Sequence, residues 1–146
     1  MALDATVFGS NTDSYVTLTE AGSIAAAAGL TSWAGKSEAE RESALRRAAD
    51  DIDVHRFHEQ TRAVSTQARV FPRLKDDAAI PVIVKKAQVF QAEWIAVGGL
   101  YESDRKNWEG ARAAPMKDAG VGSPLCPRAL AMLAPLISRS GEYAPI

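Results

Sequence analysis

The stretch that most constrains this chain is residues 80–99, IPVIVKKAQVFQAEWIAVGG, its longest apolar-periodic run. Pro81 suits a first helical turn, where its missing N–H is not needed and its fixed φ is already helical. Gly98-Gly99 supplies a stop, because glycine enters the left-handed conformation that closes many helices. A helix over 81–97 is a rod of about 25 Å at ~1.5 Å per residue. Ile83, Ala87, Phe90, Trp94 and Val97 recur at four-then-three spacing on one face. Ile80, Val84, Gln91 and Ile95 lie beside that face, and Val82, Val89 and Ala96 fall on another side. Lys85, Lys86, Gln88 and Glu93 are the strongly polar positions. A helix apolar over more than one stripe has to be covered on more than one side, by its own chain or by a neighbour. Ile83, Phe90 and Trp94 are therefore expected in the chain's own core, and Val82 and Val89 against another subunit.

A chain of 146 residues makes one domain with a sizeable core. No run approaches the ~18 apolar residues of a membrane-spanning helix, and the first residues lack the basic-then-apolar pattern of a signal peptide. The lone Cys126 excludes an internal disulfide and fits synthesis in a reducing cytoplasm. A net charge of −1 argues against a protein built mainly to grip nucleic acid. The charge is uneven, however. Residues 1–60 hold ten acids against five bases, whereas 61–75 hold Arg62, Arg69, Arg73 and Lys75 and no acid. With Phe71, that patch is the nearest approach to the basic, aromatic surface that single-stranded nucleic acid requires.

Four helices are expected. Thr19 is a good N-cap for an alanine-rich helix over 20–28 that Gly29 ends. Trp33 follows in a short connection and should plug the end of a bundle. Ser37 and Glu40 form a capping box opening a helix to about Val54, with Leu45, Ala48, Ala49 and Ile52 inward and Arg41, Glu42, Arg46, Arg47 and Asp50 outward. Residues 59–79 lose the helical period and form a long irregular loop, which Phe71-Pro72, flanked by Arg69 and Arg73, pins to the core. Asp76 and Asp77 then favour the positive end of the central helix. A last helix spans 125–137, kinked or stopped at Pro135. Residues 1–13 and 138–146 read as flexible arms. The fold class is all-α, a small bundle in one domain over 1–146.

The sequence carries few of the residue patterns that chemistry requires. Gly98-Gly99 and Gly120-Val121-Gly122 lack the setting and the lysine of a phosphate loop. His55 and His58 stand three apart without the further ligands zinc wants, and are expected at a helix end. Asp50, Asp51 and Asp53 read as a solvated helix terminus, since paired acid chemistry needs a pocket. No catalytic residue, metal ligand or cofactor is nominated, and an enzyme is not expected.

Several stretches together resemble one family. Ser14-Tyr15-Val16-Thr17-Leu18-Thr19-Glu20-Ala21, Trp33, the helix from Ser37-Glu38-Ala39-Glu40 through Ala44-Leu45-Arg46-Arg47-Ala48 to Ile52-Asp53, Phe71-Pro72-Arg73, and Ile80-Pro81 with Val84-Lys85-Lys86-Ala87-Gln88 are similar to tailed-bacteriophage head–tail connector proteins, also called adaptor or head-completion proteins. Some relatives carry the label DnaT-like single-stranded-DNA-binding protein. The resemblance covers about 14–97 and departs from the pattern over 100–124. It implies a non-enzymatic virion subunit, made in the host cytoplasm, that forms a ring of usually twelve copies under the portal in the neck. Such a ring docks the tail or the next neck protein and lets double-stranded DNA pass without tight binding. Terminal segments of relatives clasp the portal, which implies Arg139, Glu142, Tyr143, Pro145 and Ile146 here. The candidate contacts between subunits are Val82, Val89, Arg69, Phe71 and Arg73. The alternative is a single-stranded-DNA-binding replication module using the 62–75 patch.

Overall fold

A computed structural model describes residues 3–58, 61–98 and 125–137. Its α-helices are α1 (Leu18–Ala28), α2 (Glu38–Asp53), α3 (Val82–Gly98) and α4 (Pro127–Leu133), with short 3₁₀ turns at Trp33–Gly35, Leu74–Asp76 and Ala134–Leu136. Among the described residues there is no strand, only isolated bridges pairing Phe57 with Ile137 and Arg62 with Arg73. The protein is all-α, as its periodicities predict.

Local chemistry sets the helix ends. Ser37 caps α2 in the expected box: its side chain accepts from the Glu40 amide at 3.1 Å, and Glu40 accepts from the Ser37 amide at 2.9 Å. α1 starts earlier than expected because Thr17, not Thr19, is the N-cap, its hydroxyl and Glu20 forming a second box. Thr17 has a glutamate three residues on, whereas Thr19 has Gly22 there. Gly29 ends α1 at φ 75° and donates to the Ala25 and Ala26 carbonyls. Pro135 ends α4 as expected, since the chain tightens into a 3₁₀ turn at Ala134.

α3 is the hub and packs against α1, α2, α4 and the Trp33–Gly35 turn. One core cluster gathers Val84 and Ala87 of α3 with Tyr15, Ile52, Phe57, Phe71, Ala129 and Leu133. The other gathers Val89, Ala92 and Ile95 with Val16, Ala21, Ala25, Trp33 and Leu45. Two sides of α3 are thus covered by the chain itself. Val89, expected at a neighbour, is fully buried inside this chain. α1 covers that face, with Ala21 and Ala25 buried and Leu18 and Ile24 packed against the same cluster. The core stripe is rotated from the expected one. Val84, Ala87 and Gln91 are buried, while Ile83 and Trp94 pack on the cluster from its edge. Phe90 is half-buried, with the Arg128 guanidinium 4.9 Å from its ring centre.

The described part of the N-terminal stretch is not a free arm. The Asp13 and Ser14 amides donate to the Asp4 carbonyl, the Asp4 amide donates to the Asp13 carboxylate, and Leu3 packs on the second cluster. These bonds supply the partner that a terminal segment needs to stay ordered. Residues 138–146, expected as the other arm, lie outside the described residues, as do 100–124.

Candidate functional site

The candidate region is the 61–76 loop with the surface around the start of α3. Phe71 and Pro72, joined by a cis peptide bond, are buried, and the Phe71 ring meets Tyr15 and Phe57 edge-on at 5.8 and 4.9 Å between centroids. Gln67 ties the loop from inside: it accepts from the Val64 amide and donates to the Arg69 and Pro72 carbonyls, all within 3.0 Å. The anchoring role expected of Phe71-Pro72 is met.

Arg69 and Arg73 are committed inward. Arg73 lies with its side chain 4% exposed, bonded by two nitrogens to the two Asp76 oxygens at 2.9 Å, with Nη1 donating to the His58 carbonyl at 2.8 Å. Burial works to raise the Asp76 carboxyl, but the hydrogen bonds and charge of Arg73 outweigh it and hold the group below its ordinary value. Asp76 therefore serves this turn rather than the α3 dipole. Arg69 donates to Asp50 at 2.8 Å, to Asp53 at 3.1 Å and to the Asp13 carbonyl at 3.0 Å. The Tyr15 hydroxyl donates to Asp53 and accepts from the Phe71 amide. Burial and the Asp53 charge push that hydroxyl well above its ordinary value, so it remains a donor. Burial also pushes the Asp53 carboxyl up, against the opposing pull of Tyr15 and Arg69.

Sequence reasoning missed this cluster. Asp51 and Asp53 are not a solvated terminus: Asp51 is buried and accepts from Gln91, and Asp53 joins Tyr15 to Arg69. Asp50 alone of the three stays mostly in water. Gln88, one of the strongly polar positions of the helix, is buried too. It accepts from the Tyr15 amide at 3.0 Å and donates to Ser14 Oγ and the Leu45 carbonyl at 2.9 Å. The signal that could have found it was its place on the helical row Gln88, Ala92, Ile95, which is otherwise apolar.

Of the five residues proposed to meet a neighbouring subunit, Phe71, Arg73 and Val89 are enclosed by this chain, and Arg69 is mostly so. Their apolar surface or hydrogen-bonding capacity is used within this chain. Val82 is 64% exposed at the first position of α3. Among the described residues, Leu74 at 66% and Val54 at 68% are the other large apolar side chains left mostly in water at element ends. Arg139, Glu142, Tyr143, Pro145 and Ile146 lie outside the described residues.

His55 sits at the end of α2, Nδ1 3.0 Å from the Asp51 carbonyl, and burial lowers its pKa. Among the described residues no three of His, Cys, Asp or Glu gather as a metal would need, and no helix is long and apolar enough to cross a membrane. Burial raises the Cys126 thiol, the reverse of what a nucleophile requires.

No curated protein and no solved structure matches the chain. A family model described as "Putative DnaT-like ssDNA binding protein" matches residues 1–144. That description speaks of single-stranded DNA and does not name head–tail connectors. With nearly its whole length matched, the chain belongs to the DnaT-like ssDNA-binding-protein family.

Proposed function

We propose that the protein is a non-catalytic structural subunit of the head–tail connector kind, which forms a ring under a phage portal and docks the tail or the next neck protein. The observation that carries this reading is the inward commitment of Arg69, Phe71 and Arg73 within the 62–75 patch. Single-stranded DNA needs bases free to meet phosphate and an aromatic ring free to stack. Here Arg69 and Arg73 are held by carboxylates, and Phe71 is enclosed between Tyr15 and Phe57. Exposed Val82 and Leu74 offer instead the apolar contact that a subunit interface uses.

The ring would carry double-stranded DNA through its lumen without gripping it, in keeping with a net charge of −1. The test is particle mass by light scattering, with negative-stain images, for the protein alone and mixed with portal rings. Rings bound to the portal are expected, and their loss on deleting 139–146. A protein that stays monomeric and ignores every portal offered would count decisively against this role.

The family description favours a second reading, binding of single-stranded DNA. Arg62 and Lys75 remain exposed and could support it. An affinity tighter than ~1 µM at physiological salt, falling steeply as salt rises, would select that reading over the first.

A further inference from the structure

An apolar notch of about 340 Å³ opens beside the C-terminal half of α1, lined by Gly22, Ala25, Ala26, Leu30, Trp33 and Arg41, among others. Arg41 is the charged group in it. Its Nε is buried without a hydrogen-bond partner, and among the described residues the guanidinium has no ion pair. That sets it apart from Arg46, Arg69 and Arg73, each of which holds a carboxylate. An unpaired cation at the edge of an apolar hollow calls for an apolar group with a carboxylate beside it.

This chain carries such a group elsewhere. Leu74 stands mostly exposed on the 3₁₀ turn, and Asp77, one turn on, is exposed in the left-handed conformation at φ 55°. Asp76 is taken by Arg73, whereas Asp77 has no ion pair among the described residues. Leu74 and the notch lie toward opposite ends of α3. The Lys85–Glu20 pair at 3.0 Å places the start of α1 beside the start of α3, and Trp33 packs with Val89, Ala92 and Ile95 further along. The turn bearing Leu74 leads into that same N-terminal end of α3. Knob and notch therefore cannot meet within one copy.

We infer that Leu74 of one copy seats in the notch of the next, with Asp77 paired to Arg41. Two different patches in contact make a head-to-tail interface, which closes into a ring when the rotation allows. The inference rests on the ring-subunit reading and supplies the lateral contact that reading lacks.

The test is sedimentation of the full chain across concentration, with circular dichroism checking the fold of each variant. Arg41→Glu and Asp77→Lys should each weaken self-association about tenfold or more, and the double exchange should restore most of it. Ala26→Trp, filling the notch from an exposed helix position, should abolish association, while Ala27→Trp, which does not line it, should not. Association indifferent to these changes overturns the inference, as does a chain monomeric to ~1 mM, a concentration at which even weak specific interfaces form. Portal-bound rings that tolerate every variant would overturn the contact and leave the adaptor reading standing. Swap-rescued association without portal binding would do the reverse.

Discussion

At the scale of single residues, the fold depends on polar groups that sit where apolar ones would be expected. Gln88 satisfies the Tyr15 amide, Ser14 and the Leu45 carbonyl from inside the core. Gln88→Leu keeps a similar volume but strands those partners, and should cost about 2–4 kcal/mol in urea unfolding at unchanged slope. Asp76 gives a pH dependence of definite sign. Its carboxyl is held below the ordinary value in the folded chain, so its stabilisation is full above the unfolded value, about pH 4, and is lost as pH falls through the folded value. Asp53 acts with the opposite sign: its raised carboxyl adds stability below the ordinary carboxylate range that disappears as pH rises through its folded value. Asp76→Asn should accordingly lower the melting temperature at pH 7 and flatten its decline between about pH 5 and 3, because one acid-sensitive pair is gone. A variant as acid-sensitive as the parent would remove Asp76 from that role.

At the scale of elements, the two capping boxes predict a contrast. Ser37→Ala should cost about 1 kcal/mol, and Thr17→Ala a similar amount, whereas Thr19→Ala should be nearly neutral although sequence reasoning favours it as a cap. Thermal unfolding of the three variants decides between the two threonines. Elements whose cause is local were legible in the sequence: the Ser37 box, the Gly29 stop, the Ala48, Ala49 and Ile52 stripe, and the break at Pro135. What was not legible has partners far along the chain. Tyr15 meets Asp53 and Phe71, and Gln91 meets Asp51 and the Cys126 amide. No periodicity encodes such pairs. Residue type also misled, because an arginine-rich loop reads as a surface until its carboxylates are placed.

At the scale of the whole molecule, two faces of the hub helix are covered by the chain itself, so the proposed self-assembly would have to use other surfaces. Among the described residues, exposed Leu74, Val82 and Val54 and the Arg41 notch are the surfaces open to the proposed contact. Binding to a fluorescent single-stranded oligonucleotide should stay weaker than ~1 µM at physiological salt, and Arg62→Ala with Lys75→Ala should change it little. A strong loss in that double variant would instead identify these two exposed bases as a genuine DNA contact.

The N-terminal stretch and the 61–73 loop hold each other: the Ala68 amide donates to the Gly9 carbonyl, Arg69 to the Asp13 carbonyl, and the Phe71 amide to the Tyr15 hydroxyl. Neither segment has regular structure of its own to fall back on, so the two form one cooperative opening unit. In hydrogen exchange the amides of Ala68 and Phe71 should lose protection together with those of Asp13 and Ser14, earlier than the amides of α3. Cutting the first thirteen residues would then loosen a loop more than fifty positions away.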